Sequence, residues 1–431
     1  MVLERIELRP DDLPREWYNI LSDLPEPLPP YKRVKDGKEA RNLPEIFTKT
    51  ASSLEFATSK WIDIPDEVAT AYIRCGRPRP LIRANGLENY LKTPARIYYK
   101  YEDLSPVGTF KTNTALPQAY WAFKEGYKRT VFSSSLQTRT HFVHTFAANH
   151  YGLSPTIFIP RHDYEANRDQ VLFLKKMFNA DVVESPSNRT ELGRKLLKED
   201  AGNQGSSEIA RIEAVEESMN KEGAVAIISS FLNHVLMTQT IIGLEVEKQL
   251  NSIEEQPTHF IASVGGGSNF YGLIAPYIRS CILGKLTKCK FLAVESATSS
   301  KLTDGTYGYY PMQNPMASML GKIYEVNRAF THPIAGIGIQ TSNTAPILSL
   351  LRHSGLIDTV VYPEDELAIF DAARIFLNTE GGLIAPESAY AVRAAIDEAL
   401  KAKYEKTQKV IIMSISAKTY LDFGEKKRYV S

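Results

Sequence analysis

Short apolar runs alternate with amphipathic stretches along most of the chain. Runs rich in β-branched residues, typical of buried strands, lie at 130–135, 155–160, 180–185, 224–230, 259–264, 290–295 and 409–416. The segments between them carry apolar residues at helical spacing, such as 141–153, which Gly152 is placed to terminate. Alternation of this kind predicts parallel sheets covered by helices on both faces. The pattern therefore predicts an α/β protein with two lobes and a cleft between them.

Composition and charge narrow the class of protein. The 431 residues contain 51 Lys and Arg against 50 Asp and Glu, without a basic stripe, which argues against nucleic acid as the main partner. Three cysteines, Cys75, Cys281 and Cys289, are too few for a disulfide framework and fit a reducing compartment. The charged N-terminus does not match a signal peptide, and no apolar run approaches the roughly 18 residues that cross a bilayer. We expect a soluble, cytoplasmic protein.

A glycine-rich turn, SVGGGSNFYG at 263–272, is the sharpest local signal. It follows an apolar strand and precedes a helical stretch. Gly265, Gly266 and Gly267 let the backbone approach a ligand, while Ser268 and Asn269 add donors at a helix N-terminus that favours an anion. The turn lacks the lysine of a Walker motif and the spacing of a dinucleotide fold. A tight strand–helix turn would also explain the glycines, but the Ser-Asn pair favours a phosphate site.

A second signal is Lys111, which a turn-rich segment delivers to the start of a predicted helix, with Asn113 close behind it. Most lysines are solvated charges. A presented amine together with a separate phosphate site nevertheless suits pyridoxal phosphate, whose aldehyde forms a Schiff base with a lysine. We count Asn113 with Lys111 among the residues expected to bind this cofactor. Ser416 ends the last apolar strand, where its hydroxyl can bond a pyridine nitrogen and leave it neutral. That arrangement suits β-elimination and β-replacement, although Ser416 alone is more simply a strand-end hydroxyl.

Five segments, at 17–30, 76–108, 185–200, 230–245 and 264–273, resemble in order those of tryptophan synthase β chains, and more closely their second, longer subgroup. This family consists of fold-type-II pyridoxal phosphate enzymes that join indole to a unit derived from serine, or in the second subgroup from O-phosphoserine. The resemblance implies that Lys111 forms the Schiff base, that the loop from Gly265 to Asn269 holds the phosphate, and that Ser416 faces the pyridine nitrogen. It also implies that Glu295 is an acid near the cofactor ring, although a plain strand-end carboxylate explains Glu295 equally well.

The resemblance also implies a division into domains and a set of partners. It implies an N-terminal extension and the start of an N-lobe at 1–75, a segment crossing to the C-lobe at 76–109, an N-lobe at 110–235 and a C-lobe at 236–431. A mobile communication region would span about 117–200. The implied partners are a tryptophan synthase α chain and a second β chain in an αββα complex. A monovalent cation, Na⁺ or K⁺, is implied as well, held mainly by backbone carbonyls. We assign no metal ligands.

The predicted substrate loop departs from the family. Members carry Glu-Thr-Gly-Ala-Gly-Gln, where this chain has Ser134, Ser135, Leu136, Gln137, Thr138 and Arg139. A serine hydroxyl cannot replace a carboxylate as general acid or base near neutral pH without help. Phe110 stands where the family has a histidine, and the segments at 332–343 and 416–419 also differ. We therefore expect a retained cofactor site and an altered substrate site.

Three functions fit these residues. The favoured one is a tryptophan synthase β subunit with an altered proton shuttle, for which the groups to examine are Gln137, Arg139, His141, His144 and Glu380. Arg139 is also suited to a substrate phosphate, although an exposed arginine at a helix start is the simpler explanation. The second function is a pyridoxal phosphate lyase or β-replacement enzyme for another amino acid. The third is a weakly active partner that activates an α chain.

Overall fold

The larger of the two main sheets has seven strands. The computed structural model of the chain describes residues 4–220, 223–286, 289–313, 316–326, 334–363 and 365–418. Predictions that fall on 332, 333 and 419 lie outside these residues. The spatial order of the sheet is Arg5–Ile6, Leu81–Arg83, Arg96–Tyr101, Val410–Ile415, His259–Ser263, Lys290–Ser296 and Asp358–Tyr362. The last five strands are parallel, and the first two add an antiparallel edge.

The second main sheet is parallel throughout the described residues. Its order is Ala224–Ala226, Arg129–Ser133, Ser154–Pro160 and Asp181–Ser185. Two small antiparallel sheets accompany it, one of Thr306–Pro311, Met319–Glu325 and Lys32–Arg33, the other of Glu16–Tyr18 and Trp61–Asp63. Every predicted strand is present, but the one predicted over 224–230 ends at Ala226. The chain turns soon afterwards, at Phe231 with φ of 72°, to enter the next helix.

The described α-helices lie between and around these sheets. Their bounds are Lys49–Glu55, Asp66–Arg74, Asn85–Leu91, Thr112–Lys124, Thr140–His150, Arg161–Ala166, Arg168–Met177, Glu191–Glu199, Ser207–Asn220, Asn233–Gln239, Ile241–Ser252, Ser268–Ile282, Lys301–Asp304, Pro346–His353, Leu367–Glu380 and Pro386–Glu405. Short 3₁₀ turns occupy Pro10–Asp12, Ile20–Ser22, Glu102–Leu104, Ala297–Ser299 and Ile337–Ile339. None of the described helices is both long enough and apolar enough to cross a membrane.

Both faces of the seven-stranded sheet are buried. Along the strand His259–Ser263, Phe260 and Ala262 enter one apolar cluster while Ile261 enters the other. The adjacent strand repeats this division, because Ile412 joins the first cluster and Ile411 the second. Burial on both faces explains why these strands are continuous apolar runs rather than alternating ones. The predicted α/β fold with parallel sheets covered by helices is confirmed.

Candidate active site

The carboxyl ends of strands from both sheets open into a single cavity of about 580 Å³. Ser133 ends a strand of the smaller sheet, and Ser263 ends a strand of the larger one. Both line the cavity, as do Ser416 and the segment 226–231. Ligands bind in open α/β sheets at this edge, where connecting loops converge. The cavity is therefore the candidate active site.

Lys111 enters the cavity from the start of the helix Thr112–Lys124. The preceding turn is closed by Ser105, whose Oγ accepts from the Thr109 amide at 2.7 Å and donates to its carbonyl at 2.8 Å. The Lys111 Nζ donates to Thr140 Oγ1 at 2.8 Å. Desolvation lowers the pKa of this amine to about 8; Glu387 opposes the shift and Arg139 adds to it. A lysine with a lowered pKa is an activated nucleophile.

The glycine turn stands at the start of the helix Ser268–Ile282. Gly267 has φ of 98°, and a Cβ on Gly266 would lie 2.2 Å from Ser230 Oγ, so this backbone cannot carry side chains. The first amides of a helix have no partner within it and attract an anion. Asn269 Oδ1 accepts from Ser414 Oγ at 2.8 Å. Its buried Nδ2 has no hydrogen-bond partner among the described residues, so it is available to a phosphate oxygen.

Ser416 lies just beyond the end of the strand Val410–Ile415. Its hydroxyl is 3.1 Å from Ser388 Oγ, and that oxygen also accepts from the Ser416 amide at 3.0 Å. The Ser416 carbonyl accepts from the Phe110 amide at 3.0 Å, which ties this strand end to the residue before Lys111. Lys111, Gly265, Gly266, Gly267, Ser268, Asn269 and Ser416 all line the same cavity. An amine, an anion site and a hydroxyl around one cavity fit pyridoxal phosphate.

Asn113 does not line the cavity. Its carboxamide donates to Glu102 Oε2 at 3.1 Å and to Gln239 Oε1 at 2.9 Å, and it accepts from Arg77 Nε at 3.0 Å. Glu102 in turn pairs with Arg77 at 2.5 Å and with Arg79 at 2.6 Å, in a fully buried cluster. The side chain of Asn113 is committed to this cluster, and its role in cofactor binding stays a prediction. Asn113 anchors the first turn of the helix that presents Lys111.

Glu295 is also placed away from the cavity. Its carboxylate accepts from the Leu302 amide at 3.0 Å and the Thr303 amide at 3.1 Å, and it lies 3.6 Å from Lys301 Nζ. These contacts cap the short helix Lys301–Asp304 behind the glycine turn. The carboxylate of Glu295 is committed to these contacts, and its place beside the cofactor ring stays a prediction.

Glu387 is an acid of this cavity that the sequence pattern does not single out. It lines the cavity, and its Oε1 accepts from the Gly338 amide at 2.9 Å. Its negative charge favours the protonated form of Lys111. A local signal existed, because a Pro-Glu pair opens the helix Pro386–Glu405, with three residues between it and the glycine pair Gly381 and Gly382.

The altered loop faces the same cavity. Ser134, Ser135, Gln137, Thr138 and Arg139 all line it, and the loop ends at the N-terminus of the helix Thr140–His150. Ser134 Oγ donates to the Ser135 carbonyl at 2.9 Å. Arg139 is buried rather than exposed, and its Nη1 donates to the Gly108 carbonyl at 2.8 Å. The loop and the Lys111 turn are therefore joined directly.

The remaining groups proposed for proton transfer divide between the cavity and other places. His144 lines the cavity, with Nε2 2.7 Å from Ser229 Oγ. His141 lies behind the loop, with Nδ1 3.3 Å from the Ser135 carbonyl. Desolvation lowers the pKa of both rings to about 3, so both are neutral near pH 7. Glu380 lies outside the cavity, where it accepts from the Leu87 amide at 2.6 Å.

Fold and site together define a fold-type-II pyridoxal phosphate enzyme. The sequence profile of the family described as "Pyridoxal-phosphate dependent enzyme" matches residues 74–415. The chain is 39% identical over 423 residues to "Tryptophan synthase beta chain 2" of Methanothermobacter thermautotrophicus, covering 98% of this chain and 97% of that one. It is 40% identical over 427 residues to "Tryptophan synthase beta chain" of Pyrococcus horikoshii, covering 98% and 92%. The chain therefore belongs to the pyridoxal-phosphate dependent enzymes, and among them to the family of tryptophan synthase beta chains.

Solved structures agree at the level of fold. The processed form of threonine deaminase isoform 2 from Solanum lycopersicum superposes with a TM-score of 0.60 at 18% identity, covering 85% of this chain and 93% of that one. Maize serine racemase gives 0.55 at 19% identity, covering 82% and 93%. At such identities the likeness concerns the architecture alone.

Proposed function

We propose that this chain is the β subunit of a tryptophan synthase, which replaces the β-substituent of L-serine or O-phospho-L-serine with indole to form L-tryptophan. The observation that carries the proposal is the joint lining of one cavity by Lys111, the glycine turn, Ser416 and the substrate loop. The identity of about 40% to proteins named tryptophan synthase beta chain, over nearly the whole chain, supports the choice of reaction.

The residues around the cofactor position would divide the work between them. Pyridoxal phosphate, when bound, supplies an electron sink for carbanion chemistry. Lys111 would hold its aldehyde carbon, and the amides from Gly265 to Asn269 its phosphate. An amine with a pKa of about 8 can both accept and release a proton near neutral pH, so Lys111 is suited to carry the proton at the substrate α-carbon. The Ser416 hydroxyl would leave the pyridine nitrogen unprotonated, which favours elimination over transamination.

Proton transfer to the β-substituent requires a different group from the family's loop acid. The ionisable residues that line the cavity, among those described, are Lys111, Arg139, His144, Arg211 and Glu387. His144 is a weak base in this environment, and a guanidinium group has no acceptor for a proton. Lys111 and Glu387 are therefore the groups suited to this step. The N-terminus of Thr140–His150 favours the substrate carboxylate, and the buried Arg139 favours a phosphate leaving group.

The partners follow from the same family. We propose an α chain that binds this subunit, a second copy of this chain in an αββα complex, and indole as acceptor. A cytoplasmic location fits three free cysteines, of which Cys75 is buried. The loop has Ser134 where the family has a glutamate. Docking of an α chain would therefore raise the rate of indole turnover by closing the site and excluding water.

The test begins with the cofactor. Purified protein should be yellow when loaded with pyridoxal phosphate, and Lys111→Ala should remove the visible absorbance band. Lys124→Ala, an exposed lysine on the same helix, is the matched control and should keep it. Indole consumption is then measured with serine and with O-phosphoserine, each with and without an α chain.

The outcomes separate the three functions. Formation of tryptophan supports the proposal. A yellow protein that turns over another amino acid but never consumes indole would make it a different lyase. A protein without turnover of its own that accelerates the α chain would make it an activating partner.

A further inference from the structure

A buried lysine lies directly behind the glycine turn. Lys301 has no exposed surface, and its Nζ donates to the Val264 carbonyl at 2.5 Å and to the Ile339 carbonyl at 3.3 Å. Its distance to the Glu295 carboxylate is 3.6 Å. The closest contact of the ammonium is therefore a backbone carbonyl rather than the acid. A lysine whose only task was to neutralise Glu295 would approach the carboxylate more closely.

The two carbonyls belong to the two segments that form the wall of the phosphate site. Val264 immediately precedes Gly265. A Cβ on Gly265 would lie 2.6 Å from the Gly338 carbonyl and 3.0 Å from the Ile339 Cα, so the turn containing Ile339 packs on the glycines without a gap. The Lys301 ammonium bonds both segments at once. It thereby fixes the backbone whose amides would hold the cofactor phosphate.

Converging backbone carbonyls are an environment that suits K⁺ and Na⁺, since carbonyl dipoles replace the hydration shell of the ion. The family resemblance implies such a cation, held mainly by carbonyls. At the cluster described here the Lys301 ammonium already contacts the carbonyls, and a second positive charge beside it would be repelled. The single negative charge of Glu295 already faces the Lys301 ammonium, so it does not balance a second cation as well. These residues do not fit an added cation.

The charge of Lys301 is retained near neutral pH. Desolvation lowers the pKa of the amine to about 8, and Glu295 opposes this shift. Roughly nine-tenths of the amine is therefore protonated at pH 7.

We propose that Lys301 is a positioning residue whose ammonium serves as a built-in monovalent cation, joining Val264 to Ile339 and holding the phosphate site in shape, so that this protein needs no Na⁺ or K⁺. The proposal concerns the cofactor site, and it holds whichever amino acid reaction the enzyme performs.

The experiment measures the affinity for pyridoxal phosphate and the thermal unfolding midpoint in KCl, NaCl, NH₄Cl and choline chloride at equal ionic strength. Wild type should give the same values in every salt. Lys301→Ala should bind pyridoxal phosphate about tenfold or more weakly in choline, the loss expected for one charge-assisted hydrogen bond, and should recover in K⁺ or NH₄⁺. Such a recovery would not follow from a merely structural role.

Lys100→Ala is the matched control. Lys100 is equally buried and also contacts a backbone carbonyl, that of Arg79, and a carboxylate, that of Glu245. Its loss should lower the unfolding midpoint alike in all four salts. If Lys301→Ala fails to fold in every salt because Glu295 is left unpaired, the uncharged pair Lys301→Met with Glu295→Gln replaces it. That pair should bind pyridoxal phosphate about tenfold more weakly than wild type, without response to salt.

Three results would overturn the proposal. One is a wild-type protein whose cofactor affinity falls when choline replaces K⁺. Another is a Lys301→Ala protein with equal affinity in all salts, and the last is an uncharged pair with wild-type affinity. Turnover is not a readout in this design, so failure of the proposed tryptophan synthesis would leave the outcome unaffected.

Discussion

The protonation of Lys111 is the property of this site that can be perturbed in two opposite directions. With a pKa of about 8, roughly a tenth of the amine is neutral at pH 7, whereas the ordinary value of 10.5 would leave roughly one part in three thousand. Removal of the Glu387 charge by Glu387→Gln should lower the pKa further. Arg139→Gln should raise it, because a neighbouring cation is lost. We expect each change to move the pKa by about 1, or tenfold in neutral amine below the midpoint.

The assay labels the cofactor-free protein with trace acetic anhydride across a pH series, since only a neutral amine reacts. Mass spectrometry of the peptide that contains Lys111 gives its labelling rate relative to an exposed lysine such as Lys124. The wild-type midpoint should fall near pH 8, lower for Glu387→Gln and higher for Arg139→Gln. Glu380→Gln, which removes a carboxylate outside the cavity, should leave the midpoint unchanged.

A wild-type midpoint near 10.5 would refute the desolvation of Lys111. Midpoints that move in the same direction in the two cavity variants would refute the assignment of Glu387 and Arg139 as opposing charges.

Other perturbations test other parts of the molecule. Gly267→Ala should weaken cofactor binding at least tenfold, because a Cβ there would meet Leu348 Cδ2 at 2.6 Å. Gly284 is the control, because it also has a positive φ, of 68°, but a Cβ there would meet open space. Gly284→Ala should lower the free energy of unfolding in urea by about 1 kcal/mol and leave cofactor binding intact. Ser134→Glu should raise the rate of indole turnover by the isolated chain about 10²-fold. Partner dependence would be contradicted if the wild-type chain is equally fast with and without an α chain and the glutamate does not raise its rate. If Arg139→Gln leaves the ratio of O-phosphoserine to serine turnover unchanged, Arg139 does not select the donor. Glu102→Gln should lower the free energy of unfolding by about 3–5 kcal/mol, because Arg79 loses its buried carboxylate partner and Arg77 keeps only Glu245. Despite desolvation, neighbouring Arg77 and Arg79 lower the pKa of Glu102 from its ordinary value of 4.5 to about 2. The contribution of Glu102 to the free energy of unfolding should therefore be fully present above pH 4.5 and should be lost as the pH falls towards 2. Urea titrations at several pH values would detect this loss.

Some strands are not predicted by the apolar pattern, for a physical reason. The strand Arg96–Tyr101 carries Lys100 as its last but one residue, a buried charge that ordinarily argues against a strand in the core. Lys100 is tolerated because it meets Glu245, 145 residues further along the chain. No local pattern reports a partner at that distance. The strand Asp358–Tyr362 lies at the edge of the sheet and is only partly buried, so it lacks the uniform apolar character of the central strands.

Local sequence by itself determined the α/β fold class, the positions of the central strands and the two most specific parts of the site. Periodicity suffices for the strands, because burial on both faces demands continuous apolar runs. Backbone geometry suffices for the glycine turn, because only glycine permits the approach of Gly338 and Ser230 to Gly265 and Gly266. Lys111 was identified because the turn before it and the helix after it are both encoded locally.

Only the tertiary structure decided what each buried charge does. Asn113 and Glu295 look from the sequence like cofactor ligands, yet the first completes a buried ion cluster and the second caps a short helix beside Lys301. Glu387, inconspicuous in the sequence, is the carboxylate that acts on Lys111. The free energy of a buried charge depends on the desolvation at its final position and on partners brought there by distant segments. Neither quantity exists until the chain has folded.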